Sequence, residues 1–458
     1  MERREFLKTT AAGVASFAMT SCIKKASSIE GMDPAGSHTG DIPTDQMTYR
    51  TTPSTGDRVS LLGYGMMRLP YVDDHIDQEE VNRLVKFALD HGVNYFDTSP
   101  AYCQGHSEES LGIALKASGY PRESYYIATK LSNFAQQQWT HDASIQIFQD
   151  SLRLLQVDYV DYLLLHAVGG GGIPQLNARF FNNGCLDYLL QQREKGVIRN
   201  LGFSYHGDEA TFRQVLALHE TYHWDFVQIQ LSYVDWRHGA ETAKYNHVNA
   251  ELLYRLLDER NIPVSVMAPT LGGRLAKFNF STARILTPLD PEATPSSWAF
   301  RFAGSMPRVF SVLSGMTRME HLEENVKTFS PLRPLDAKAF AALERAAKAY
   351  LGDDTIPCNN CDYCMPCPYG LAIPDILGCW NEAVAEGRLP DNPNDPDYLA
   401  QRRRFLIDSA RNVEPLRQAN RCTGCGRCTP HCPQSIDIPA AIRRVDALVE
   451  KLRRNGRA

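Results

Sequence analysis

From Arg58 to Ser330 short apolar runs alternate in step with stretches of helical periodicity. The first strand is predicted over Ser60 to Met66. A capping box, Asp77-Gln-Glu-Glu80, opens the helix that carries Val81, Leu84, Val85, Ala88 and Leu89 on one face. The apolar run of Val93, Tyr95 and Phe96 then stops at Asp97, a Pro-containing turn carries Tyr102, and Ser107 is expected to N-cap the helix of Leu111, Ala114 and Leu115. Two more runs end in Lys130 and His166. Further strands are predicted over Val197 to Ser204, Phe226 to Leu231, Pro263 to Ala268 and Val309 to Leu313. Helices are expected near Asp142 to Leu155, Gly184 to Lys195, Asp208 to His219, Asn249 to Arg260, Thr294 to Gly304 and Met319 to Phe329. Eight strand-helix units over about 270 residues match the size of an α/β (β/α)8 TIM barrel. A doubly wound sheet is the alternative, but no Gly-x-Gly-x-x-Gly turn follows the first strand.

Beyond the barrel pattern, Pro331 to Pro334 interrupt the chain and Ala337 to Leu351 form an amphipathic helix leading away. Of 12 cysteines, eight then fall in two runs: Cys358, Cys361, Cys364 and Cys367, followed by Cys422, Cys425, Cys428 and Cys432. The second run has the spacing of a bacterial four-iron ferredoxin motif, and the first differs by one residue before its last cysteine. Three thiolates can wrap one cubane while the fourth reaches a neighbouring one, so two 4Fe-4S clusters are expected in a mainly helical, ferredoxin-like domain. A disulfide framework or a pair of zinc ribbons is the alternative, and triple Cys-x-x-Cys steps ending in Cys-Pro fit neither well. The charged segment Asp375 to Ser409 reads as a solvated helical face. Cys185 and Cys379 read as packed thiols, and nothing near Cys103 marks it as a nucleophile.

The N-terminus, with Arg3-Arg4, an Ala-rich weakly apolar stretch and Thr20-Ser21-Cys22, resembles a twin-arginine export signal of lipoprotein type. The apolar run is shorter than the ~20 residues a transmembrane helix needs. Export through this route, to the periplasm or to a membrane held by a lipid on Cys22, is the expectation, and a route that carries folded proteins suits inserted metal clusters. The domains are then a signal over 1–22, a flexible linker over 23–57, the barrel over 58–330, a linker helix over 331–352 and the cluster domain over 353–458. A net charge of -5 gives no sign of nucleic-acid binding.

Asp97, Tyr102, Lys130 and His166 fall in order at the carboxyl ends of three successive strands, the rim where barrel enzymes place their chemistry. Asp97-Thr-Ser-x-x-Tyr102, Gly105-x-Ser107-Glu108 and Leu111-Gly112 resemble the active-site signature of the aldo-keto reductase family, and the whole chain is similar to a subgroup with a C-terminal ferredoxin-like domain. The resemblance implies a proton donor, Tyr102, for a carbonyl reduced by hydride. A free tyrosine titrates near ~10. Lys130 is expected to lower that value, Asp97 to hold Lys130, and His166 to orient the carbonyl oxygen.

The resemblance also implies NAD(P)H. Ser204 and Gln230 look like nicotinamide contacts, with Tyr205 standing where an Asn is usual. Leu271, Gly272 and Gly273 look like a pyrophosphate loop, and Gly315, Glu324 and Asn325 like the adenosine end. Members that prefer the 2′-phosphate place cations where this chain has Gly315 and His321, so NADH is favoured over NADPH. Two functions follow. One is an oxidoreductase acting on a small carbonyl or alcohol, with the clusters relaying electrons and a redox partner protein docking at the cluster domain. The other is an exported iron-sulfur electron-transfer protein whose barrel binds a ligand without turnover.

Overall fold

A computed structural model of the chain describes residues 41–454 apart from 74, 243–247, 278, 353, 359, 361, 433 and 435, so the export signal and Cys22 lie outside the described residues. Eight parallel strands close into a barrel: β1 (Leu62–Gly65), β2 (Tyr95–Asp97), β3 (Tyr126–Leu131), β4 (Val160–Val168), β5 (Ile198–Tyr205), β6 (Phe226–Gln230), β7 (Val264–Met267) and β8 (Val309–Ser314). Strands covered on both faces read as unbroken apolar runs, and β4 is buried from Val160 through His166. Aromatic side chains fill the interior, Tyr162 meeting Tyr95 and Phe226 edge-on with ring centroids 5.2 Å apart in each pair.

The outer helices include α1 (Gln78–Asp90), α2 (Ser107–Ser118), α3 (His141–Leu155), α4 (Cys185–Glu194), α5 (Glu209–Ala217), α6 (Ala250–Asp258), α7 (Pro295–Gly304) and α8 (Met319–Phe329). Asp77 caps α1 by accepting from Glu80 N at 3.0 Å. Ser107 departs from its expected role. It is the first residue of α2, and its buried hydroxyl donates to Met66 O at 2.8 Å and meets Thr98 Oγ1 at 2.7 Å, tying the Tyr102 loop to β1 and β2.

The segment expected to be a flexible linker contains, in its described part, a strand: Tyr49–Thr51 pairs antiparallel with Arg58–Ser60. Three residues were too few for alternation to register. The Arg50 guanidinium donates to Gly304 O at 2.6 Å and to the carbonyls of Met306 and Val309, and Tyr49 donates to Gly92 O at 2.9 Å. This hairpin closes the barrel at the ends where strands begin. Short helices in the rim loops, Gly172–Leu176, Asp235–Thr242 and Phe280–Leu286, lie outside the predicted pattern.

After the barrel come α9 (Ala337–Gly352), α10 (Ile373–Ala385), α11 (Tyr398–Asn412) and α12 (Ile438–Arg454). The segment Asp375 to Ser409 is a solvated face only in part: most of residues 391–404, Arg403 and Arg404 among them, are exposed, but the helix before them is not. Ile376, Leu377, Trp380 and Phe405 are buried and form a second core with Ile442 and Leu452, because the apolar residues recur at helical steps among the charges. Among the described residues no helix is long and apolar enough to cross a membrane.

Candidate active site

The site begins with a buried ion pair. The Lys130 and Asp97 side chains are 0% and 3% exposed, and the Lys130 ammonium donates to the Asp97 carboxylate and, at 2.9 Å, to Thr98 O. A third partner was missed in the sequence: Gln228 Nε2 donates to Asp97 Oδ2 at 3.0 Å. Its signal was a polar residue at an inward position of the apolar run Phe226 to Leu231. Burial pushes the Lys130 pKa down, and the Asp97 charge opposes this.

Tyr102 follows on a turn in which Cys103 and Gln104 have left-handed φ of 50° and 57°. The buried Cys103 thiol donates to Met67 O at 3.5 Å and to Met66 O at 3.7 Å, so it anchors the turn. Lys130 Nζ lies 5.0 Å from the Tyr102 ring centroid. The expected lowering of the phenol pKa is not what this site produces. Burial, with the Asp97 charge second, holds it well above its usual value, because the ammonium is already engaged by Asp97 and Thr98. The phenol therefore keeps its proton.

His166 is aimed by a bulge. The β4/β5 register shifts between Leu165 and Val168, and Ala167 has φ 54°. Its Nδ1 meets Ser132 Oγ at 2.6 Å and Ser99 Oγ at 3.3 Å, so Nε2 is the nitrogen left to face a substrate oxygen. The ring stands edge-on to Tyr102 with centroids 5.8 Å apart. Burial and the nearby Lys130 charge hold it neutral, well below the usual imidazole range. Buried Arg179 donates to His166 O at 2.8 Å and to Asn133 Oδ1 at 3.1 Å, locking the loop that follows β4.

The residues expected to hold a nicotinamide cofactor line the later strand ends. Ser204 Oγ accepts from Ala167 N at 2.9 Å, and Gln230 Nε2 donates to Asp235 Oδ2 at 3.2 Å. Tyr205 is turned into the core, its hydroxyl donating to Asp208 O and its ring 4.6 Å from that of Phe212. Leu271, Gly272 and Gly273 are left-handed in succession, with φ of 53°, 70° and 96°, and a Cβ at Gly273 would meet nothing within 4 Å. The Leu271 and Gly273 N–H groups donate to Ala268 O at 2.8 Å and Thr270 O at 3.0 Å, so the turn is closed by its own backbone and a phosphate would approach it along the small Gly272–Gly273 edge. Asn325 Nδ2 donates to Ser314 Oγ at 2.9 Å, and Glu324 accepts from Thr294 Oγ1. Beside Gly315 lies the base of the Arg68 side chain, since a Cβ at Gly315 would be 3.7 Å from Arg68 Cβ.

The cysteines gather across the two runs. Cys358 and Cys364 of the first share a cavity with Cys432 of the second, lined by Pro374, Leu377 and Ile436. Cys428 lies close to Cys422, Cys425 and Cys367, whose negative charges add to burial in raising its pKa. Cys361 lies outside the described residues. All described cysteines are free thiols. Among the described residues no three metal-binding side chains close on a single ion. A cubane holds its four thiolates further apart than one ion does, and an apolar, cysteine-lined cavity fits it.

A closed barrel with a buried Asp-Lys pair beneath a protonated tyrosine and a neutral histidine, joined to a thiolate-rich helical domain, defines a redox enzyme of the (β/α)8 class. The chain belongs to the aldo/keto reductase family, whose model matches residues 61–348, and a 4Fe-4S dicluster domain matches residues 357–436. It is 34% identical over 160 residues to L-galactose dehydrogenase of Arabidopsis thaliana, covering 35% of this chain and 49% of that one, so it spans about half of that relative. It is 28% identical over 266 residues to methylglyoxal reductase of Escherichia coli O157:H7, covering 57% of this chain and 86% of that one. An aldo-keto reductase structure from Bacillus halodurans, in its holo form, shares the fold at a TM-score of 0.52 and 24% identity over 66% of this chain and 97% of that one.

Proposed function

We propose that the protein interconverts a small carbonyl compound and its alcohol with a nicotinamide, and that two 4Fe-4S clusters relay electrons for this site. The observation that carries the reading is the Asp97–Lys130 pair buried beneath a Tyr102 that holds its proton. A bound nicotinamide supplies or takes the hydride at the carbonyl carbon. His166 Nε2 and the Tyr102 hydroxyl hold the substrate oxygen, and Tyr102 delivers its proton as negative charge develops there. The Lys130 charge beside the ring then stabilises the phenolate, which is why a phenol hard to ionise at rest still serves as the acid. Asp97, held by Gln228, keeps Lys130 charged in a dry site.

Ser204, Gln230, Leu271 to Gly273, Gly315, Glu324 and Asn325 would hold the cofactor. NADH is favoured, because Gly315 carries no charge and burial holds His321 neutral; Arg68 and Arg318 are the cations left for a 2′-phosphate. One cluster would take Cys358, Cys361, Cys364 and Cys432, the other Cys422, Cys425, Cys428 and Cys367. Cubane clusters supply single-electron transfer. The reading extends to an exported protein, anchored through Cys22 or free in the periplasm, whose redox partner meets the cluster domain.

The test is anaerobic purification, followed by counting iron, identifying any nucleotide released on denaturation and assaying methylglyoxal reduction and L-galactose oxidation with both cofactors. About eight irons per chain, bound or bindable nicotinamide, and a turnover that Tyr102→Phe lowers by a factor on the order of 10²–10⁴ support the proposal. Iron without nicotinamide binding would sink it and favour the electron-transfer protein.

A further inference from the structure

The cluster domain meets the barrel through α9 and α10, which pack against the Phe280–Leu286 helix of the loop after β7. Its charge is the reverse of that of the whole chain. Between residues 398 and 458 stand 13 Lys and Arg and five Asp and Glu, in a chain whose net charge is -5. Several of these guanidinium groups are already paired: Asp408 holds Arg404, Asp354 holds Arg444 and Glu450 holds Arg453. Arg421, Arg427 and Arg443 are exposed, and no ion pair engages them among the described residues. The three flank one thiol. Cys425 is the only exposed cysteine among the described residues, whereas Cys422 and Cys428 are half-buried and Cys432 is buried. Gly424 and Gly426, left-handed with φ of 73° and 72°, stand on either side of it and put no side chain over its sulfur. A Cβ at Gly424 would lie 3.4 Å from Arg443 Nη1, so α12 brings a third guanidinium to the edge of the loop that carries Arg421 and Arg427.

We propose that the face around Cys425, edged by Arg421, Arg427 and Arg443, is the docking surface for a small acidic electron-carrier protein. A carrier must come close to the edge of a cluster, and the exposed thiol marks where the protein layer over the second cysteine run is thinnest. Three unpaired guanidinium groups around that point attract an acidic surface and turn it to face the thiol. One electron passes per encounter, from the reduced cluster to the oxidised carrier or back from the reduced carrier, and no bond is made or broken. Residues 421–432 expose no large apolar side chain that could enter a lipid surface, so the chemistry favours a protein as the occupant. This inference rests on the reading of the second cysteine run as a cluster site with a redox partner.

The test compares full-length, iron-replete wild type with Arg421→Gln/Arg427→Gln/Arg443→Gln for binding to an acidic flavodoxin. Titration calorimetry reads the affinity at low ionic strength and at about 0.15 M, with a basic cytochrome c as counter-probe. Wild type should bind the flavodoxin and not the cytochrome, salt should weaken the complex, and the triple variant should raise Kd by about tenfold. Arg83→Gln/Arg153→Gln/Arg213→Gln removes the same charge from exposed positions on the barrel helices and should stay within about twofold of wild type. Flavodoxin binding that is absent at low salt, or equal in wild type and the first triple variant, overturns the proposal. Binding to phosphatidylglycerol vesicles in place of the flavodoxin would assign the patch to a lipid surface and overturn it as well. Wild type that holds no iron would overturn the cluster reading instead, and the calorimetry would still decide whether the patch takes an acidic protein. Should the first triple variant lose iron, Arg443→Gln, on α12 and outside the cysteine run, carries the same measurement.

Discussion

Replacing Asp97 by Asn would leave the Lys130 ammonium in the barrel without its counter-charge. Both side chains are almost wholly out of solvent, 3% and 0% exposed, so water offers no substitute partner. Removing one member of a buried pair costs about 3–5 kcal/mol. Asn keeps the shape and an acceptor for Lys130 or Gln228, which places the cost near the lower end, about 3 kcal/mol, or a melting point lower by something on the order of 6–12 °C. The pH dependence identifies the cause. Without the carboxylate, the folded-state pKa of Lys130, already lowered by burial, falls further below its unfolded value of about 10.4. Between those two values the unfolded chain binds a proton that the folded chain does not, so stability rises with pH. The gap between Asp97→Asn and wild type should therefore narrow from pH 7 to pH 10. Urea denaturation of the two holo proteins, followed by near-UV circular dichroism of the tyrosine-filled barrel, measures it. A variant within about 0.5 kcal/mol of wild type at pH 7, or a gap that widens with pH, would refute the reasoning.

Glu108 is buried, accepts from Thr129, and is pushed up to about 7 mainly by burial. Below its unfolded value of about 4.3 the two states are equally protonated; above it the unfolded chain ionises first, so this group lowers stability as pH rises to about 7, by up to about 4 kcal/mol. Glu108→Gln should flatten that decline, and chemical denaturation at pH 5 and pH 8 shows whether it does. Gly112→Ala would drive a Cβ to 2.7 Å from Leu154 O and 2.8 Å from Leu155 O, prising α2 from α3 at a cost of about 2 kcal/mol, whereas Gly352→Ala meets nothing within 4 Å and should be neutral or slightly stabilising in a melt. The double change Cys358→Ser/Cys432→Ser separates two ways of sharing ligands: crossed sharing leaves about four irons, because both residues serve one cluster, and uncrossed sharing leaves almost none.

The barrel was legible because strands covered on both faces are continuous apolar runs, and Asp97, Lys130 and His166 stand where those runs stop. Helix starts at Asp77 and Asp208 were readable for the same local reason, a short polar side chain just before the periodic residues, whereas the helix expected from Asp142 is capped two residues earlier by Thr140. What escaped depends on contacts between distant segments. Gln228 is one polar residue in an apolar strand, and only the closed barrel shows that it faces Asp97. Ser107 has every local mark of a cap, but its burial against Met66 redirects the hydroxyl. The Tyr49–Thr51 strand is stabilised by carbonyls some 250 residues away, which no window of sequence samples. Cysteine spacing says how many thiolates can approach a cubane and leaves open which run supplies the fourth.

The hairpin that Arg50 fastens beneath the barrel also fixes which way the molecule faces. Its carbonyl partners lie where α7 ends and β8 begins, and Asp97, Lys130 and His166 lie at the opposite ends of their strands. The chain thus arrives at the floor, and the pocket mouth, with the cysteine domain upon it, points the other way. If the preceding segment holds the protein to a surface, that surface meets the closed end. A substrate then approaches from the open side, where the catalytic strand ends lie, and attachment at the floor leaves that approach clear.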